Sequence, residues 1–289
     1  MSAAVATKPT APPAAKAQGK LSFPRLLRSE WIKFWSVRST FWTLAIFLFA
    51  VVALVVLITL AIHNAPPENQ GGPSDADRAD PLNGFQAAVF LGQFAVAILG
   101  ALTITGEYTT GMIRTSLTAA PKRLPVLWSK GLVAGFSMLV FGVITVGLSA
   151  ALQWVFFHGV GIGVDIGNSQ QVRALLGTAL YIATIGLLAF AFGALMRHSA
   201  AAVSTILGLL LVIPLIFGLV PWKPLKYVEP FLPGNAGQKI TMTDAQNAAQ
   251  AAGNTVGANL TAWQGYGVLV AWVVVVLGVA AYLLKKRDA

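Results

Sequence analysis

The sequence predicts an all-α, polytopic membrane protein that crosses the bilayer six times and keeps both termini in the cytoplasm. Three observations support this fold class. Of the 289 residues, 56% are hydrophobic and only 10% are charged, whereas soluble domains average about 25% charged residues. The hydrophobic residues gather into six uncharged runs, and the Lys and Arg residues concentrate on alternate connections between those runs.

The six predicted spans are long runs without Asp, Glu, Lys or Arg. A helix needs about 20 apolar residues to cross about 30 Å of hydrocarbon, and this requirement is met by residues 40–62, 85–105, 132–157, 174–196, 200–220 and 264–284. The fourth and fifth runs are separated by three residues only, which predicts a tight helical hairpin. A five-span alternative joins these two runs, but residues 174–220 are far too long for a single crossing. Residues 1–20 predict a disordered tail, so residues 21–289 form one six-span domain.

The orientation follows from the basic residues. Fifteen of the 20 Lys and Arg residues fall on the side of the two termini, and five fall on the opposite side. Basic residues accumulate in cytoplasmic loops, so the sequence predicts a cell-membrane protein with both termini cytoplasmic. The net charge of +10 is also found in nucleic-acid-binding proteins. Its placement beside the spans favours anionic lipid as the partner, and no nucleic-acid partner is expected.

The segment before the first span predicts an amphipathic helix at the cytoplasmic interface. Pro24 suits the first turn of a helix. Four apolar residues recur at helical spacing, with basic residues marking the other side: Leu27, Trp31, Phe34 and Trp35. The alternative is a simple positively charged anchor for the first span, and the two interpretations overlap.

The connection between the second and third spans, residues 106–130, is the longest cytoplasmic loop after the N-terminal tail. Thr109 or Thr110 is suited to cap a short helix there, and Pro121 to end it. The helix would carry an apolar patch with one basic neighbour: Met112, Ile113, Leu117 and Arg114. An exposed apolar patch indicates a docking surface. The alternative is an ordinary positive-inside loop, which composition alone favours.

Two segments on the opposite side join the remaining spans. Residues 64–83 are acidic and rich in Pro and Gly, which predicts a flexible loop. Residues 221–263 begin with an aromatic, proline-broken stretch that either lies at the outer interface or dips into it. Their second half, residues 243–260, is polar and rich in Ala and Asn, and we expect a solvated loop there.

The sequence shows no catalytic chemistry. It has no G-x-x-x-x-G-K-[ST] phosphate loop, no cysteine, and three widely separated histidines, so neither enzyme activity nor a metal site is expected. The spans carry neutral polar residues, which either pack helices together or line a mildly polar pathway, and packing is favoured: Gln93, Thr103, Thr145, Gln153 and Tyr181. Because no ionisable group lies at depth, the energy for any uphill transport would come from another chain.

Several short motifs carry a family resemblance. Ser29-Glu30-Trp31-Ile32-Lys33 precedes the first span, Glu107-Tyr108-Thr109-Thr110-Gly111-Met112-Ile113-Arg114 follows the second, Pro121-Lys122-Arg123 and Lys130 precede the third, and Pro233-Gly234-Asn235-Ala236-Gly237 precedes the last. With these motifs the chain after residue 20 resembles the permease subunits of type-2 ATP-binding-cassette (ABC) exporters, especially actinobacterial ones. The motifs are moderately specific together and weak singly.

The resemblance implies a partnership. The family has six spans, an N-terminal interfacial helix and a coupling helix between the second and third spans. Two permease copies pair with two separate ATPase subunits, which hold ATP and magnesium, so this chain itself needs no cofactor. Carried onto this chain, residues 107–117 would seat in a groove of the ATPase, with these contacts: Glu107, Tyr108, Gly111, Met112, Ile113, Arg114 and Leu117.

The sequence allows alternatives for the second permease copy and for the function. A homodimer is expected, but a pair of different permeases is the alternative, and the motifs do not choose a substrate. A non-transporting membrane scaffold or a sensor component is the runner-up function. A self-contained secondary transporter is a third, which the uncharged spans disfavour.

Overall fold

The computed structural model describes residues 22–36, 38–66, 68–72, 74, 78, 80–113, 123–157, 159, 162–220, 222–253 and 257–286. Within these ranges all regular structure is helical. We number the helices in chain order: α1 (Phe23–Ser36), α2 (Arg38–His63), α3 (Leu82–Thr109), α4 (Arg123–Phe157), α5 (Ser169–Met196), α6 (Ser199–Leu219), α7 (Lys223–Val228), α8 (Pro233–Gln238), α9 (Asp244–Gly253) and α10 (Ala262–Lys286). Three-residue 3₁₀ turns occur at residues 68–70, 229–231 and 239–241.

Six of these helices are long and apolar enough to cross a membrane: α2, α3, α4, α5, α6 and α10. This confirms the all-α, six-span prediction. The helices extend past the apolar runs at several ends, because amphipathic turns continue them. Helix α4 begins at Arg123, whereas its apolar run begins at residue 132. Helix α10 begins at Ala262 because Thr261 and Gln264 form a capping box, in which each backbone amide donates to the other residue's side chain.

Helix α1 packs against the first half of α4. The Trp31 and Phe136 ring centroids lie 5.9 Å apart. Trp31 and Trp35 are exposed, at 39% and 40%, whereas Leu27 and Phe34 are half-buried. The predicted amphipathic helix is therefore present, with part of its apolar side turned to the bundle. Its location at a membrane surface stays a prediction.

Helix α5 forms the centre of the bundle. Of the residues in its most apolar 18-residue stretch, 78% are buried inside the chain, whereas the share is at most 44% for any other spanning helix. Glycines allow its closest packing: a Cβ on Gly100 of α3 would overlap the backbone carbonyl of Gly186 on α5, and a Cβ on Gly186 would overlap the sulfur of Met138 on α4. Small residues at helix crossings are typical of membrane bundles. The close packing of α3, α4 and α5 therefore requires glycine at positions 100 and 186.

The predicted α5–α6 hairpin turns at Arg197, which adopts the left-handed conformation at φ 56°. His198 then caps α6, its side chain accepting from the amide of Ala201 at 3.4 Å. The Arg197 guanidinium lies 5.7 Å from the centre of the Tyr108 ring at the end of α3. The hairpin turn, α1 and the connection between α3 and α4 therefore share one end of the bundle, which we call the α1 end. The described residues within 64–81, 162–168 and 222–261 form the far end.

Helix α6 contains a π-helical stretch, Gly208–Val212. Pro214 lies two residues after its end. A proline inside a helix removes one amide donor and its ring clashes with the carbonyl four residues earlier. The π stretch lies where that clash would fall, and such bulges commonly relieve it.

The far-end segment is more structured than predicted. Residues 244–253 form helix α9, not a solvated loop. The reason is a second capping box: the Thr243 amide donates to Gln246 Oε1 at 2.9 Å, and the Gln246 amide donates to Thr243 Oγ1 at 3.2 Å. An Ala-rich sequence then sustains the helix. Asp244 pairs with Arg173 of α5 at 2.9 Å, which fixes α9 to the bundle.

Helix α8 and the turn after it enter the bundle rather than lie on its surface. Pro233, Gly237 and Ile240 are buried. A Cβ on Gly237 would overlap the Tyr181 ring and Leu269, and one on Gly177 would overlap the Ile240 carbonyl. Residues 233–241 therefore lie between α5 and α10. The position of this segment relative to the outer interface stays a prediction.

Candidate functional site

Four charged side chains converge where α1, α3 and α4 meet. Lys130 Nζ lies 2.6 Å from Glu30 Oε2 and 2.6 Å from Glu107 Oε1. Lys33 also donates to Glu107 Oε1. We call Glu30, Lys33, Glu107 and Lys130 the ionic cluster. It connects residues that are 100 and 23 positions apart in sequence, so it forms only when the three helices pack.

The cluster is largely withdrawn from solvent. The Lys130 side chain is 4% exposed, and those of Glu107 and Glu30 are 11% and 13% exposed. Burial alone would lower the pKa of Lys33, but the hydrogen bond to Glu107 and the charges of Glu107 and Glu30 outweigh it and raise that pKa. Lys33 therefore stays protonated at neutral pH. In the described part of the chain, no group of three or more His, Cys, Asp or Glu side chains is placed to hold a metal ion.

The position of Glu107 explains why it needs two cations. It lies in the last turn of α3, where the helix dipole places partial negative charge and disfavours a carboxylate. Lys130 lies about two turns into α4, and Lys33 in the last turn of α1. The charge-assisted bonds therefore tie together the two helices from which the 110–122 connection emerges. Both ends of that connection are braced against α1.

The chain leaves α3 by a sharp turn. The hydroxyls of Thr109 and Thr110 donate to the carbonyl of Gly106, at 3.0 and 2.8 Å. They satisfy carbonyls at the end of α3. The short helix that these threonines were expected to cap lies mostly outside the described residues, so the capping role stays a prediction. Gly111 then adopts φ +73°, a conformation that favours glycine. Tyr108, half-buried in this turn, is held under Arg197.

The described residues of the expected apolar patch differ in their exposure to solvent. Met112 is 44% exposed, whereas Ile113 is only 7% exposed. Ile113 therefore packs within the chain, because the turn at Gly111 directs it back towards the helices. This burial differs from the expectation that Ile113 contacts a partner. Arg114 and Leu117 lie outside the described residues. Among the predicted contacts that the structure describes, Met112 is the apolar side chain at the surface.

The polar residues within the spans mainly bond inside the bundle. The Tyr181 hydroxyl donates to Gln93 Oε1. The Gln153 amide donates to Thr59 Oγ1 at 3.0 Å and to the Pro81 carbonyl at 2.8 Å.

The two threonines of this set make the same hydrogen bond but differ in burial. Thr145 and Thr103 each donate to the carbonyl four residues earlier. Thr145, like Gln93, Gln153 and Tyr181, is at most 1% exposed. In the single chain these four side chains are buried among the helices. Lining of a pathway by any of them stays a prediction. Thr103 is half-buried and does line a cavity.

Three members of the ionic cluster were absent from the predicted coupling site: Glu30, Lys33 and Lys130. One signal could have identified Glu30. The predicted cytoplasmic side has three acidic residues, Glu30, Glu107 and Asp288, among fifteen basic ones. An acidic residue kept in such a basic setting is a candidate for an ion pair. The partner, however, is set by how α1 lies on α4, which a local pattern does not show.

The fold and this region define a polytopic helical membrane protein with a braced connection at one end of its bundle. Residues 26–289 match the model of the ABC-2 family, described as "ABC-2 family transporter protein". Since the match covers nearly the whole chain, this protein belongs to the ABC-2 transporter family. It is an ABC transporter permease, a transport component that is not itself catalytic. A search of curated proteins finds no match.

Proposed function

We propose that this chain is the membrane-spanning subunit of an ABC exporter, in which two permease copies form the translocation pathway. Separate ATPase subunits bind ATP and magnesium and drive transport. Family membership supports the permease assignment. The ionic cluster supports the coupling assignment, because a connection that transmits force from an ATPase must be joined stiffly to its spans.

The ionic cluster is the observation that carries this proposal. It links the last turn of α3, the second turn of α4 and the middle of α1 through the two 2.6 Å bonds of Lys130 to Glu107 and Glu30. A push on residues 107–113 would therefore move three helices together. An ordinary loop has no need of buried charges at its base, because desolvating them costs several kcal/mol per ion.

The first prediction concerns ATPase binding. Met112→Asp is expected to reduce the ATPase retained on the tagged permease by about tenfold or more, because it places an unpaired charge in an apolar contact. Met112 lies beyond the spanning part of α3, so the variant should still insert and fold. The measurement is the amount of ATPase that co-purifies, normalised to permease.

The matched control is Ile166→Asp. Ile166 is also an exposed apolar residue, at 84%, but it lies at the far end. It should retain the ATPase at the parent level. Equal retention by Met112→Asp and Ile166→Asp would show that the 107–113 segment is an ordinary connection.

We also propose that the α1 end faces the cytoplasm, as the basic-residue bias predicts. The chain has no cysteine, so single cysteines report accessibility directly. Ser169→Cys, exposed at the far end, should react with an impermeant maleimide in intact cells. Ala200→Cys, exposed at the α1 end, should react only after permeabilisation. The reverse pattern would invert the proposed orientation.

A further inference from the structure

Helix α7 lies where the chain briefly leaves the bundle at the far end. The spanning helix α6 ends at Leu219, α7 begins at Lys223, and the chain is buried again at Leu232. The three residues between α6 and α7 can extend over at most about 11 Å, and the interfacial layer of a bilayer is about 5–8 Å thick on each side. Helix α7 is therefore held close to the membrane surface.

Most of the surface of α7 is not covered by the rest of the chain. Trp222 and Tyr227 are 60% and 61% exposed, and Val228 and Phe231 are also exposed. A helix of 6 residues is too short to be stable alone in water, where isolated helices of fewer than about 12–15 residues are marginal. Trp and Tyr are enriched where a bilayer meets water. These side chains therefore fit the headgroup layer, with their rings against lipid and their polar groups towards water.

The two lysines of α7 differ from the other basic residues on this side of the chain, where five of the 20 Lys and Arg residues lie. Arg78 and Lys239 donate hydrogen bonds within the chain, and Arg173 pairs with an aspartate. Lys223 and Lys226 are exposed, and in the described part of the chain neither makes an ion pair or a side-chain hydrogen bond. These two side chains are therefore open to an anion from outside the chain.

The spacing of the two lysines suits a phosphate. Residues three positions apart lie on the same side of a helix, with their Cβ atoms about 5–6 Å apart, so both ammonium groups can reach one phosphate. Lysine side chains extend their charged ends to the headgroup layer while their stems lie along apolar surface. An anionic phospholipid supplies the phosphate without a choline or ethanolamine cation that would repel the lysines.

We propose that α7 binds the headgroup of an anionic phospholipid in the leaflet at the far end. Lys223 and Lys226 hold the phosphate, and Trp222 and Tyr227 insert their rings beside it. The lipid thereby fixes the point at which the chain leaves α6 and returns to the buried α8. This binding requires neither an ATPase nor transport, so the inference is independent of the proposed function.

The first experiment tests contact with lipid, using the purified full chain in phosphatidylcholine nanodiscs. The chain has no cysteine, so a bimane fluorophore is attached to Val228→Cys on α7 or, as the control, to Ala248→Cys, which is exposed on the polar helix α9. Phosphatidylcholine with a spin label close to its headgroup should quench the fluorophore at position 228 and leave the one at position 248 bright. Quenching at position 228 that is no stronger than at position 248 would overturn the proposal.

The second experiment tests the headgroup by titrating spin-labelled lipids against the fluorophore at position 228. Phosphatidylglycerol should give half-maximal quenching at a mole fraction about thirtyfold lower than phosphatidylcholine. Each lysine near an anionic surface contributes about 1 kcal/mol, and about 1.4 kcal/mol corresponds to a factor of ten. Lys223→Gln with Lys226→Gln should remove this preference. Quenching by phosphatidylcholine should persist in that double variant, which checks that it is folded and that α7 still lies at the surface.

The matched control is Lys285→Gln with Lys286→Gln, at the other end of α10. It removes the same charge from two exposed lysines and should leave the preference for phosphatidylglycerol unchanged. Equal half-maximal quenching of the parent by the two lipids would overturn the proposal, and so would a preference that survives Lys223→Gln with Lys226→Gln. Loss of the preference in both double variants would overturn it too, since net charge alone would then set lipid binding.

Discussion

Lys130→Ala is expected to destabilise the protein by about 3–5 kcal/mol and to abolish transport. The substitution leaves the Glu30 and Glu107 carboxylates facing one another without the ammonium that now lies 2.6 Å from each. Removing one partner of a buried ion pair is costly, because the remaining charge is buried and uncompensated. It also releases α4 from α1 and α3, so motion of the 110–122 connection would no longer reach all three helices.

The measurements are thermal unfolding of the purified permease and transport in cells. Lys33→Ala is the comparison, because it removes a lysine of the same cluster whose side chain is 26% exposed. Its cost should be near 1 kcal/mol, since solvent screens the pair. A Lys130→Ala protein as stable as the parent would mean that the cluster does not brace the helices.

Gly100→Leu is expected to prevent the spanning bundle from packing, at a cost of about 3 kcal/mol or more. A Cβ at position 100 alone would overlap the carbonyl oxygen of Gly186. The obstacle is backbone, so no side-chain rotamer relieves it, and α3 and α5 would have to separate. Overpacking a tight site typically costs about 1–3 kcal/mol and occasionally more, and a backbone contact at the central helix belongs at the upper end.

Gly147→Leu is the matched control. A Cβ at Gly147 meets nothing within 4 Å, and leucine is the better helix former by up to about 1 kcal/mol. This variant should be as stable as the parent or slightly more so. Size-exclusion profiles and thermal unfolding should separate the two variants clearly. A monodisperse, stable Gly100→Leu protein would show that the close α3–α5 approach is not required.

The six spans could be predicted from the sequence because a run of about 20 uncharged residues has few alternatives to a spanning helix. The helix ends were less well predicted. The fourth apolar run begins at residue 174, but α5 begins at Ser169, because the Asn168 side chain caps the helix there. Helix α9 had a readable signal in the Thr243–Gln246 capping box, which the polar composition of that segment obscured.

The candidate site was only partly predictable. All four residues of the ionic cluster lie in the motifs that carry the family resemblance, but only Glu107 was placed in the predicted coupling site. Its pairing with Lys33 and Lys130 depends on the packing of α1 on α4, which local spacing does not encode. Similarly, the sequence did not show in which direction the neutral polar side chains of the spans point. The Gln93–Tyr181 bond shows that both point into the bundle.

Photo-crosslinking from position 112 tests the central claim most directly. A photo-reactive amino acid replaces Met112 in the full chain, cells are irradiated, and the crosslinked partner is identified by mass spectrometry. The same residue at Ile166 is the control at the far end. The account predicts an ABC ATPase with its own phosphate loop, captured from position 112 and not from position 166. Capture of no ATPase from position 112, or equal capture from both positions, would contradict it.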